Sequence, residues 1–147
     1  MELVKISQYT ALRLEHARKA GISESRLLDA VNFRDPAVFR EAETEDFTYG
    51  DIFNYAEEHG EPLQQALQHG YRMTFNTRSG LKIWLEEAFR LGSRSDFTVG
   101  EGQIEGLRLT DAQLGRLKQA LAVNWVIASE QAAADGVEVS LCLRALA

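Results

Sequence analysis

Few residues of this chain have a type and spacing that could do chemistry. The one cysteine, Cys142, falls in an alternating stretch in opposite phase to Leu141 and Leu143, and the three histidines, His16, His59 and His69, all lie in the first half. A Cys-His or Ser-His nucleophile pair would need the two halves to converge, and nothing in the spacing calls for that. The cysteine therefore reads as a packed thiol. The acids from Glu41 to Glu61 accompany His59 without the i, i+3 or i+4 ligand spacing of a metal-bearing helix. They read as a solvated acidic face, whose one functional use would be to meet a basic protein partner. Gly100-x-Gly102-x-x-x-Gly106 has part of the spacing of a dinucleotide-binding loop, but it leads into a second strand instead of a helix N-terminus. It reads as a hairpin turn. No catalytic residue, metal ligand or cofactor is expected.

Two polar segments carry candidate binding residues. Asn76-Thr77-Arg78-Ser79-Gly80 sits where a strand passes into a helix, so free amides and a guanidinium could hold an anion on Arg78, Ser79 and Gly80. A plain helix cap is the competing reading. The segment from His16 to Val31 has a small residue at Ala17, Gly21 in a turn, Ile22 just after it, and Leu27 and Ala30 on the second helix. This resembles the helix-turn-helix of bacterial repressors, over residues 13–34 at most. The resemblance implies a DNA-binding regulator in which Ser23, Ser25 and Arg26 face base edges and backbone, while Arg13, Arg18, Lys19 and Arg34 meet phosphates. An ordinary helical hairpin has the same spacing.

The elements that must position these residues follow from caps and periodicity. Ser7 or Thr10 opens a first helix, with Tyr9, Leu12, His16 and Ala20 along one side, and Gly21 closes it in the left-handed region. Ser23 caps a second helix, and Asp35-Pro36 starts a third. Thr48, with Phe47 stapled on Ile52, opens a fourth, and Glu61-Pro62 opens a fifth. Beyond Gly70, Tyr71, Met73 and Phe75 alternate as a strand. Leu81, Trp84, Leu85, Ala88 and Phe89 then keep the spacing of one buried helix face. A glycine hairpin, the capping box Thr110-Asp-Ala-Gln113 and a terminal alternating stretch complete the chain. Residues 123–130 suit either strand or helix, and strand is favoured because the terminal stretch needs a partner.

The expected fold is α+β: a cluster of about five short helices over residues 1–70, packed on an antiparallel sheet with two helices over 71–147, in the order β-α-β-β-α-β-β. The two parts are expected to form one compact unit, with the sheet closing at about five strands. The formal net charge of −6 resides entirely in the first 70 residues, and no Lys or Arg occurs between Glu41 and Gly70. This disfavours a large basic face for nucleic acid. With no basic, apolar leader and no membrane-length run, the cytoplasm is the default compartment. The reading is a small non-catalytic binding or regulatory protein that acts through a protein partner or self-association. The alternative is the DNA-binding regulator.

Overall fold

Five side-chain caps fix where helices begin. In the computed structural model, which describes residues 3–92 and 96–147, Ser7, Ser23, Asp35, Thr77 and Thr110 each accept an amide from the first turn of α1 (Gln8–Lys19), α2 (Glu24–Phe33), α3 (Pro36–Arg40), α6 (Arg78–Phe89) and α7 (Asp111–Ala120). Each such cap stabilises its helix by about 1 kcal/mol. The Thr110–Gln113 capping box closes in both directions, as its spacing predicts. Two shorter helices, α4 (Ile52–Glu58) and α5 (Leu63–His69), lack a side-chain cap. Helix α4 begins later than the Phe47-Thr48 signal implies, with Asp51 in the capping position, and Phe47 stacks on the His16 ring, 4.1 Å between centroids.

The architecture is α+β, with helices mostly in the first half and a four-stranded antiparallel sheet in the second. That sheet runs β3 (Thr98–Gly100), β4 (Gln103–Leu109), β6 (Gly136–Leu143), β5 (Trp125–Ala133), so residues 125–133 are strand. A separate two-stranded parallel pair joins β1 (Val4–Ile6) to β2 (Tyr71–Met73). The sequence reading places β2 in the main sheet and has no β1. Three residues without alternation carry no strand signal of their own, and β1 exists because β2 offers a partner across nearly half the chain.

Packing ties the two halves together at several points. Helix α1 lies along α6, α2 rests on α3 and α5, and α7 covers β4 and β6 beside β2. Helix α1 buries Ala11, Leu14 and Ala17, a face next to the Tyr9–Leu12–His16 stripe. In α6, Leu81, Trp84, Leu85 and Phe89 are buried on one stripe, as their spacing predicts. One hydrophobic cluster extends from Ile6 through Trp84 and Leu117 to Leu141.

Two bulges reset which residues face the core. On β4 the register shifts between Ile104 and Leu107, where Gly106 takes φ +77°, and Leu107 returns to the core side. On β5 the shift lies between Ile127 and Ser129, with Ala128 as the extra residue. Before it, Ile127 pairs with the buried Leu141; after it, Glu130 pairs with the buried Val139. Glu130 thus lies on the helix-covered side of the sheet, where Lys118 of α7 meets it at 3.4 Å.

Candidate functional site

The helix-turn-helix-like segment folds with the local geometry its sequence implies. Gly21 has φ +99°, Ser23 accepts the Arg26 amide, and the first turn of α2 is exposed. Its cations, however, are engaged within the molecule, Arg13 with the Tyr9 and Thr48 carbonyls and the others with carboxylates. Arg26 forms a forked pair with Glu41, Arg34 meets Glu57 at 2.8 Å, and Lys19 meets Glu87 at 3.4 Å. The Glu41 partner raises the Arg26 pKa, and the Arg26 guanidinium holds Glu41 below the usual carboxylate range. Arg18 lies largely inside: Nη1 donates to Glu15 at 2.9 Å, Nε and Nη2 grip Glu24 at 2.6 and 3.2 Å, and Nη2 also reaches the Leu67 carbonyl at 3.4 Å. Burial alone would lower its pKa, but the Glu15 and Glu24 carboxylates together raise it. The Ser25 hydroxyl shares a hydrogen bond with the Ser23 hydroxyl, at 3.3 Å.

Glu15 is the buried centre of a polar network that sequence reasoning missed. It is 1% exposed, and its Oε2 accepts from Tyr71 at 2.5 Å, from Arg18, and from Arg116 of α7. The Tyr71 hydroxyl in turn accepts the Trp84 indole N–H at 2.8 Å. Burial, and then the adjacent Glu15 charge, push the Tyr71 phenol well above its ordinary pKa, which Arg116 offsets only in part. The phenol is neutral and donates to Glu15. The network thereby joins α1, β2, α6 and α7 and leaves no buried side-chain polar atom unpartnered among the described residues. A single glutamate inside α1 gives no signal in the sequence that arginines 3 and 101 residues away will reach it.

The Asn76–Gly80 loop is held by the protein's own groups. Asn76 is buried; its Oδ1 accepts the Ala122 amide at 2.8 Å, and its backbone exchanges two hydrogen bonds with the Asn124 side chain. Its carbonyl also takes the Trp125 indole N–H at 3.0 Å. Over the first turn of α6, Gln8 accepts from the Thr77 amide and donates to the Thr77 hydroxyl, while the Gly80 amide donates to Thr77. A Cβ on Gly80 would stand 1.8 Å from the Gln8 amide nitrogen, so glycine there makes room for that side chain. Arg78 and Ser79 are exposed beside this cap.

Glu61 likewise departs from the solvated acidic face expected of it. It is buried, and its carboxylate takes the Ser7 amide at 2.6 Å and both the Ser7 and Thr10 hydroxyls at the N-terminus of α1. Negative charge is favoured there by the aligned helix peptides.

A different kind of surface forms at the end of the molecule where α7 meets β5. Two large apolar side chains are open there, Phe75 at 59% and Val123 at 61% exposure, and Leu146, at 66%, lies nearby against Gly102 of the β3–β4 turn. Their loops are joined, because Asn76 bonds Asn124, and Arg144 bonds the Val123 and Asn124 carbonyls at 2.7 and 2.8 Å. Beside Val123 lies a depression of about 220 Å³, floored by Leu121, Trp125 and Ile127 and bordered by Arg72, Lys118 and Arg144. Arg72 is anchored to the Leu121 and Lys118 carbonyls and Arg144 to Val123, and neither meets a carboxylate among the described residues. The depression opens onto β5, a nine-residue outer strand whose one charged residue is Glu130. The opposite outer strand, β3, has three residues.

No group of three or more His, Cys, Asp or Glu poised for a metal occurs among the described residues, and no helix there is long and apolar enough to cross a membrane. Cys142 is half-buried in β6. No family model, curated protein or solved structure matches the chain.

Proposed function

We propose that this chain is a non-catalytic binding or regulatory protein, and that its partner docks where α7 meets β5. The supporting observation is the joint exposure of Phe75, Val123 and Leu146 beside an outer strand of nine residues. Isolated apolar side chains on a surface are ordinary; exposed ones on hydrogen-bonded loops beside a long strand edge favour an interaction site. An edge strand offers its outward N–H and C=O groups to an added strand, and Arg72 and Arg144 favour a partner segment that carries acids. A partner protein and a second copy of the chain both meet these requirements.

Native mass spectrometry of the protein isolated from its own cells, wild type beside Val123→Asp, tests the reading. A discrete complex, homomeric or heteromeric, that disappears in the variant supports it. Wild type and variant that give the same species contradict it.

The DNA-binding reading rests on the turn around Gly21 and the exposed first turn of α2. For duplex to bind there, Arg26 and Arg34 must exchange Glu41 and Glu57 for phosphates. Its test is a pool of labelled duplex fragments, wild type beside Arg26→Ala, across a salt series. Selective enrichment lost in the variant and weakened steeply by salt supports that reading, and none even at low salt removes it.

A further inference from the structure

Gly115 is a glycine for which the fold has no use. It lies inside α7, exposed, at an ordinary helical φ, and a Cβ built there meets nothing within 4 Å. Glycine in a helix interior is less stable than alanine, since it loses more backbone freedom on folding. The other helical glycine, Gly80, is accounted for by the Gln8 side chain lying across it. No such neighbour exists at Gly115.

Gly115 instead lines an open groove of about 480 Å³ between the end of α5 and α7, together with Ala112, Arg116 and Gln119 on α7, His69 and Gly70 at the end of α5, and Arg18 at its back. The four α7 residues follow the i, i+3, i+4, i+7 spacing of one helix face, small at 112 and 115 and polar at 116 and 119. Arg116 spends Nη2 on the buried Glu15, and its Nε and Nη1 have no acceptor among the described residues. Glu15 is shared with Arg18, so one carboxylate serves two guanidiniums; Glu24, on the far side of Arg18, answers that arginine and not Arg116. The buried contacts of Glu15 with Tyr71 hold Arg116 in place. A small floor, an oriented arginine with unused donors, a histidine and a side-chain amide together make a receptor for a compact oxyanion.

We infer that the α5–α7 groove binds a small phosphate- or carboxylate-bearing molecule, with Arg116 as its charged anchor and Gly115 leaving room for it to approach the helix backbone. This site stands apart from the α7–β5 end and does not depend on the protein-partner reading.

The test is calorimetric titration with inorganic phosphate and, separately, with succinate, at ionic strength held constant with sodium chloride. Wild type, Gly115→Ala, Gly115→Gln and Arg116→Gln are compared, with melting temperatures for each. Saturable binding of one anion is expected, weakened about tenfold or more in Gly115→Gln and Arg116→Gln. Gly115→Ala is expected to melt higher than wild type and yet bind less tightly, which a merely structural glycine would not do. A preference for phosphate or for succinate identifies which source of the oxyanion the groove takes. Absence of saturable binding for both anions, or Gly115 variants that bind as wild type, would overturn the inference. Because a Cβ at Gly115 meets open space, both variants at that position fold, and the outcome does not hang on Arg116→Gln remaining stable.

Discussion

The helical half and the α7–β5 end differ in how they use most of their arginines. Around α1 and α2 four of the five Lys/Arg side chains have a carboxylate: Arg18 has Glu15 and Glu24, Lys19 has Glu87, Arg26 has Glu41 and Arg34 has Glu57, while Arg13 lies over the Tyr9 ring and takes the Tyr9 and Thr48 carbonyls. At the other end, Arg72 and Arg144 are anchored to carbonyls at the close of α7, and apolar side chains stand open beside them. Charge that is matched within the molecule holds it together; charge that is positioned but unmatched is available to a partner. A net charge of −6 would by itself place the interaction face among the acids of the first half. Local pairing differs from that overall balance.

The largest expected effect breaks the matched side. Replacing Glu15 with Gln removes the one carboxylate that Arg18, Arg116 and Tyr71 share, and should cost about 3–5 kcal/mol, as unpaired buried charges do. Denaturant unfolding followed by fluorescence of Trp84, which reaches the same network through Tyr71, measures this. Next comes Asn76→Ala, which strands the Ala122 amide and releases Gln8; about 2–3 kcal/mol is expected in the same assay. Smaller still, Glu61→Gln withdraws the charge from the start of α1 and should cost about 1 kcal/mol.

Alkali provides a further probe of the buried side. The Tyr71 phenol, and Tyr49 by burial, lie above their ordinary values in the folded chain. The folded state therefore holds these protons more tightly than the unfolded one. Stability should be unaffected below about pH 10 and fall as pH rises through the ordinary tyrosine range. Tyrosinate absorbance should show both phenols ionising only as the chain unfolds, and Tyr71→Phe should flatten the loss at high pH.

The smallest effect on stability belongs to the open end. Val123→Asp and Phe75→Ser should change unfolding by no more than about 0.5 kcal/mol, as exposed substitutions do, while removing the partner.

What could be read from the sequence was local. The Thr110–Gln113 box, the Asp35-Pro36 start, the buried stripe of α6 and the glycine hairpin each announce themselves within one or two turns of chain, and each is present. What stayed hidden depends on partners far along the chain. Strand β1 needs β2, Glu61 needs the start of α1, and Glu15 needs Arg116. The bulge at Ala128 changes a strand's phase without any glycine to mark it, so the inward side of β5 after Ile127 could not be assigned from alternation. The candidate DNA-binding residues were legible as a turn between helices; their carboxylate partners, from Glu41 and Glu57 in the acidic run to Glu87 on α6, were not. Phe75 shows the same limit. It shares a phase with the buried Tyr71 and Met73, but the buried amide of Asn76 turns the chain away and leaves Phe75 outside.

The most direct measurement is a photo-crosslinking scan in intact cells, with one photoreactive residue at a time at 123 and 126 on the sheet end, and at 29 and 32 on α2. The account predicts discrete adducts, to a partner or to a second copy, from positions 123 and 126 and none from 29 and 32. Adducts confined to positions 29 and 32, to protein or to DNA, would contradict it and move the binding face to the helices.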